Sequence, residues 1–175
     1  MNSERLETGK GKIRALNRRG TRSDKSPPVV RQSHPYADPS ICEKCGGVYT
    51  SKTWRERRPL TPELMNQVAW TTCPACEQVD TGQYFGRVSL SGPYLLAHLE
   101  LIRSRIANVE RRARFTQPER RVVSGDFDGS TLEVLTSSQK LAHRIARELE
   151  KAFGGTVTYS WSDSDGALAA TWYRK

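Results

Sequence analysis

From Leu95 onward, apolar residues recur at steps of four, three, four and three: Leu95, Leu99, Ile102, Ile106 and Val109. That rhythm predicts a helix with one buried face, opened by Pro93, joined by Leu96 and limited by Pro118. A second run, Leu141, Ala142, Ile145, Leu149 and Phe153, predicts another helix. Ser137 or Ser138 caps its start and Gly154-Gly155 ends it. Strand patterns surround the two helices. Tyr84–Leu90 reads as one strand. Arg121–Phe127 and Ser130–Thr136 read as a hairpin around Asp128-Gly129, a two-residue turn signal. Thr156–Ser162 and Ala167–Tyr173 read as a second hairpin around Asp163-Ser-Asp-Gly166. Val157, Tyr159 and Trp161 alternate there with polar residues. The expected class is α+β for residues 83–175, in the order strand, helix, strand, strand, helix, strand, strand. The first six elements match a split βαβ plan with both helices on one sheet face.

Upstream the pattern changes. Residues 36–82 lack a long apolar period but contain all four cysteines, as Cys42-Glu-Lys-Cys45-Gly-Gly and Cys73-Pro-Ala-Cys76. Two residues between cysteines let a tight turn aim both sulfurs at one ion, and four thiolates suit tetrahedral zinc. Gly46 and Gly47 supply the positive φ and the close amide approach that such a knuckle needs. Cys42, Cys45, Cys73 and Cys76 are therefore read as the ligands of a structural zinc ion in a zinc ribbon. The stretch from Gly46 to Thr72 is long for a ribbon loop. A short helix is expected to absorb the excess, with Thr61 as N-cap, Pro62 at its first position, Glu63 in its first turn and Leu64, Met65, Val68 and Ala69 on it. Trp70 is expected to close that helix against the second knuckle. Redox dithiols compete with this reading, but a thioredoxin-type pair opens a helix after a strand, and Gly-Gly after the first pair does not fit that. An iron–sulfur centre and oxidised pairs in an exported protein also compete. Catalytic zinc is disfavoured, because four thiolates leave no position for water.

Charge adds a third region. The chain of 175 residues has a formal net charge of +9. Residues 1–35 contain 9 Lys/Arg and 3 Asp/Glu, two thirds of that excess. They lack an apolar period and read as a disordered basic tail that seeks phosphate. Arg14, Arg18, Arg19 and Arg22 lie three or four apart and give a short helix one basic face on binding. No apolar run reaches the roughly 18 residues of a membrane span, and no secretory h-region follows the N-terminal charges. Glu4, Glu7 and Asp24 argue against a transit peptide, so the cytoplasm is the expected compartment.

Other constellations are weak. His34, His98 and His143 are far apart in sequence. Asp126, Asp128, Asp163 and Asp165 fall in hairpin turns, where backbone hydrogen bonding explains aspartate. No catalytic residues are expected. Lys52, Trp54, Arg55, Arg57 and Arg58 form a basic run with an aromatic inside, a composition suited to RNA. The competing reading is a solvated loop whose Trp54 covers the small core. Arg111, Arg112 and Arg114, with Arg120 and Arg121, form a second basic cluster.

The paired knuckles, the Leu-rich helix and the segment from Gly129-Ser-Thr-Leu-Glu-Val to Lys151-Ala-Phe-Gly-Gly together resemble a known family. It is the large-ribosomal-subunit nuclear export adaptor of eukaryotes, with its archaeal relatives. The similarity concerns the zinc-containing N-terminal region of that family and covers residues 40–175. It implies a zinc-bearing adaptor that docks on ribosomal RNA and proteins without catalysis. Only Cys42, Cys45, Cys73 and Cys76 carry over, as zinc ligands. Eukaryotic members have more cysteine pairs, further domains and an export segment, so this chain resembles a short prokaryotic-type relative. The expected function is a zinc-binding, RNA- or ribosome-associated adaptor with no membrane and no small-molecule substrate. The alternative is a zinc-ribbon scaffold for a protein partner, or a regulator of transcription or translation.

Overall fold

A computed structural model of the protein describes residues 36–56, 59–161 and 166–175. The expected tail, with Arg14, Arg18, Arg19, Arg22 and His34, lies outside the described residues, as do Arg57, Arg58, Asp163 and Asp165. The fold is α+β with two mixed sheets. No helix among the described residues is long and apolar enough to cross a membrane.

The smaller sheet comprises β1 (Ser40–Cys42), β2 (Val48–Thr50), β3 (Thr53–Arg55) and β4 (Ala69–Thr71), in the order β3-β2-β1-β4. β1 is parallel to β4 and antiparallel to β2. Ser51 and Lys52 join β2 to β3 with φ of 53° and 61°. Left-handed backbone at both turn positions matches the twist of the flanking strands. The basic run expected as a loop is thus strand at Thr53–Arg55. Helix α1 (Pro62–Met65) starts as expected, with Thr61 Oγ1 accepting from Leu64 N at 3.4 Å. It ends after one turn, so Val68 and Ala69 lie beyond it. Trp70 is 64% exposed and does not close on the second knuckle. It sits in β4, where alternation turns Ala69 and Thr71 inward and Trp70 outward. Helix α2 (Pro74–Asp80) follows.

The larger sheet comprises β5 (Gly86–Ser91), β6 (Val122–Phe127), β7 (Thr131–Thr136), β8 (Thr156–Trp161) and β9 (Leu168–Tyr173). The helix expected after Pro93 is two helices, α3 (Pro93–Ala97) and α4 (Leu99–Thr116), because His98 leaves helical geometry at φ −130° and ψ 28°. Leu95, Ile102, Ile106 and Val109 are buried as the stripe requires, whereas Leu96 is 55% exposed. Helix α5 (Gln139–Phe153) is capped by Ser138 and ended by Gly154. Val88, Leu90, Leu132, Val134 and Trp172 on one sheet face share a core with Ile102 and Ile106 of α4 and Leu141, Ile145 and Leu149 of α5. A Cβ on Gly86 would meet Ala142 Cβ at 2.5 Å, so glycine there lets α5 lie directly on β5.

The strand order is β6-β7-β5-β9-β8. This corrects the split βαβ plan, in which the sixth element would enter beside β5. The seventh, β9, takes that place, parallel to β5, and β8 runs antiparallel outside it. Burial explains the exchange. β9 offers Leu168, Ala170 and Trp172 to the core, at most 4% exposed, whereas Tyr159 and Trp161 of β8 are 42% and 56% exposed. The more apolar strand takes the position flanked on both sides.

Candidate metal centre

Three short elements deliver the four sulfurs. Cys42 ends β1 and Cys45 lies in the turn after it. Cys73 is the N-cap of α2 and Cys76 lies in its first turn. In the first knuckle, Gly46 N donates to Cys42 O at 2.8 Å and Cys42 N donates to Gly47 O at 2.8 Å. Gly46 has φ 69°, as the sequence requires. Gly47 meets the second requirement: its N–H donates to Cys45 Sγ at 3.4 Å, and an added Cβ would stand 3.3 Å from that sulfur. The two knuckles meet because β1 and β4 pair in parallel, Cys42 opposite Thr71. That pairing cancels the long excursion between them.

The four Sγ atoms lie within 4.8 Å of one another, and Cys45 Sγ stands 3.8 Å from Cys73 Sγ. A tetrahedral ion with Zn–S bonds of about 2.3 Å spaces its sulfurs about 3.8 Å apart. All four are free thiols, with Cys42, Cys73 and Cys76 buried and Cys45 partly exposed. The donor set and its spacing fit a metal ion such as zinc, with every coordination position filled by sulfur. Among the described residues this quartet is the one group of three or more His, Cys, Asp or Glu able to share an ion.

The protein prepares these thiols unequally. Burial pushes Cys42 up, but the backbone N–H groups of Cys73, Cys45 and Lys44 more than offset it and bring the thiol down to about 7. Cys73 N donates to Cys42 Sγ at 3.3 Å. Burial raises Cys73, and it raises Cys76 to about 11. Metal binding must therefore displace protons from these two.

Arg121 is a participant that the cysteine spacing does not reveal. It is only 9% exposed. Burial works against its charge, and the negative charge of the nearby Cys45 sulfur more than offsets that. Its Nε donates to Pro118 O at 2.9 Å. Ser137 Oγ accepts from Arg121 N at 2.8 Å and donates to Glu119 O at 2.6 Å, which fixes the turn before β6. Two further contacts join the small sheet's module to the larger one: Arg114 pairs with Glu56 at 3.3 Å, and Gln78 Nε2 donates to Ser137 O at 3.0 Å. A zinc ion with four thiolates carries excess negative charge, and a guanidinium against one sulfur offsets part of it. Arg121→Gln is expected to weaken zinc binding about 10- to 100-fold, the usual range for loss of an outer-shell partner. Competition with a chelating dye measures this; an unchanged affinity would show that Arg121 serves packing alone.

The expected nucleic-acid contacts divide. Lys52 and Arg55 are exposed on the β2–β3 hairpin. Trp54 is half-buried, its ring 5.3 Å from Tyr49 and 5.2 Å from Tyr36, and it covers the cysteine cluster. Arg111 and Arg112 are exposed on α4, with Arg111 donating to Asn108 Oδ1. Arg114 is engaged by Glu56. His98 packs on Tyr94 at 4.2 Å and His143 stacks on Tyr159 at 5.0 Å. Asp128 Oδ1 accepts from Thr131 N at 2.7 Å and Ser130 N at 2.8 Å, and these bonds hold its carboxyl below the usual range. It organises its turn. No protein-family model and no curated protein matches this sequence, so the site is read from its own geometry.

Proposed function

We propose that the protein is a zinc-binding, RNA- or ribosome-associated adaptor without catalytic activity. The observation that carries this is the sulfur quartet, whose closed shell suits a structural ion and against which Trp54 of the β2–β3 hairpin packs, with Lys52 and Arg55 exposed beside it. A basic tail (1–35), a zinc module (36–82) and an α+β domain (83–175) divide the work. The tail's nine Lys/Arg supply phosphate contacts that do not depend on sequence. The resemblance to the ribosomal-subunit export adaptor makes ribosomal RNA the first target to test. On single-stranded RNA, log affinity is expected to fall with log salt at a slope of about −0.7 per neutralised phosphate. Fluorescence anisotropy across a salt series, with ribosome co-sedimentation at low salt, checks this. A protein that stays in the top fractions and retains no RNA refutes it.

A second reading, a protein–protein scaffold, is favoured by one observation. Leu64, Met65 and Trp70 on the small module are 39%, 48% and 64% exposed. Under that reading, deleting residues 1–35 leaves partner binding unchanged, whereas RNA binding through the tail falls.

A further inference from the structure

The larger sheet ends in two edges that are built differently. β6 is guarded. Its register slips between Val122 and Ser124, and Gly125 and Asp126 follow. Val122 N donates to Glu110 Oε1 at 3.0 Å. Bulges, charges and covered amides are the usual means of stopping a sheet from adding another strand. The edges of the smaller sheet, β3 and β4, are three residues long and so offer little to pair with. β8 has none of these devices. Thr156–Trp161 contains no charge, no proline and no glycine, and it pairs with β9 residue for residue over its whole length. Among the described residues its outer side has no strand. Every second residue along it therefore points its N–H and C=O away from the sheet.

The side chains narrow what fits there. The ladder sets Val157, Tyr159 and Trp161 opposite Trp172, Ala170 and Leu168, on the face that the helices cover. Helix α5 does not reach across them. Its His143 stacks on Tyr159 at 5.0 Å, yet Tyr159 and Trp161 stay largely exposed. Thr158 and Ser160 lie on the other face. An added strand must therefore bring apolar residues to one face and hydroxyls to the other. β8 itself meets that need. Turned end for end about Tyr159, it sets Tyr159 against Tyr159, Trp161 against Val157 and Thr158 against Ser160. Aromatic pairs, aromatic–β-branched pairs and hydroxyl pairs are the cross-strand neighbours that favour a sheet. A chain of net charge +9 repels its copy most where its cations sit, and this strand has none. RNA offers no matching ladder, and its phosphates find no cation on the strand.

We propose that β8 pairs antiparallel with β8 of a second copy of this chain, about a two-fold axis at Tyr159, joining the two sheets into one. Such a contact is isologous, so each copy gives what it receives and the assembly closes at two. One strand pair is smaller than a standard interface of roughly 1,600 Å², so the dimer is expected at micromolar concentrations. It involves neither the metal nor RNA, and its failure leaves the proposed function untouched.

The experiment is sedimentation velocity of the zinc-loaded, nuclease-treated full chain across the micromolar range, with amide exchange followed over the same range. The mass is expected to double with concentration, while β8 amides gain protection and β6 amides do not. Tyr159→Lys and Tyr159→Glu each set like charges against one another at the axis. Each alone is expected to weaken dimerisation about tenfold or more. An equimolar mixture sets Lys against Glu and is expected to recover the dimer, which also shows that both variants fold. The parent's own exchange pattern decides the matter however well the variants fold. If both variants dimerise as well as the parent, the contact lies on some other surface and the inference falls. If both are folded and monomeric but the mixture stays monomeric too, Tyr159 does not meet its own copy, and the inference falls again. A parent chain that stays monomeric, its β8 amides exchanging as freely at high concentration as at low, also overturns it and leaves the edge to a strand of a different protein.

Discussion

Stripping the metal will unfold the small module and leave the five-stranded sheet standing. The reason is the size of the core on each side. Around the cysteines the buried cluster is Cys42, Cys73, Ala75 and Cys76, with Cys45 and Trp54 packed on it. Each strand there has three residues. Such a module buries too little apolar surface to offset its chain entropy, and four converging sulfurs without an ion add nothing. Structural zinc supplies on the order of 10 kcal/mol to a site of this kind. Chelation should therefore abolish amide-exchange protection across residues 40–80 and leave most of it in β5, β7 and β9. Cys73→Ser should do the same, because one lost thiolate opens the shell. Acid acts in the same direction. Burial raises Cys73 and Cys76, so as pH falls protons compete ever more strongly for their sulfurs, and zinc affinity drops. Protection that survives chelation would refute the account of the module.

Trp172→Ala will destabilise the larger domain by about 3–5 kcal/mol, the range for a buried aromatic cut to alanine. Trp172 is 0% exposed and belongs to the cluster that joins α3, α4 and α5 to the sheet. Its Nε1 donates to Gly154 O, tying β9 to the end of α5. The substitution removes the packing and also leaves that carbonyl without its donor. A single domain has roughly 5–15 kcal/mol in hand, so the loss takes a large share. Urea unfolding of the zinc-loaded protein measures it. Trp172→Phe should cost clearly less, since it keeps a ring in the space. Equal costs would mean that volume at this position is not what stabilises the sheet.

The two predictions draw on different kinds of information. The cysteine quartet could be read directly from the chain, because metal chemistry fixes ligand type and local spacing, and Gly46 and Gly47 behave as a knuckle demands. The larger domain's helices and hairpins were legible for the same local reason. A buried stripe repeats along α4 and α5, Ser138 and Gly154 mark the ends of α5, and Asp128-Gly129 marks a turn. The small strands were not legible, because three residues are too few to show alternation. The place of β9 was not legible either, since it depends on a comparison between β8 and β9 that only packing against α5 makes. Nor did the sequence show that Arg121 would stand at Cys45 or Arg114 at Glu56. An arginine in a basic cluster has no local signature of its partner. The sequence determined which groups are able to bind metal and which segments form helices and hairpins. Tertiary structure decided which charges meet sulfur, carboxylate or solvent, because those contacts join residues that no short-range pattern connects.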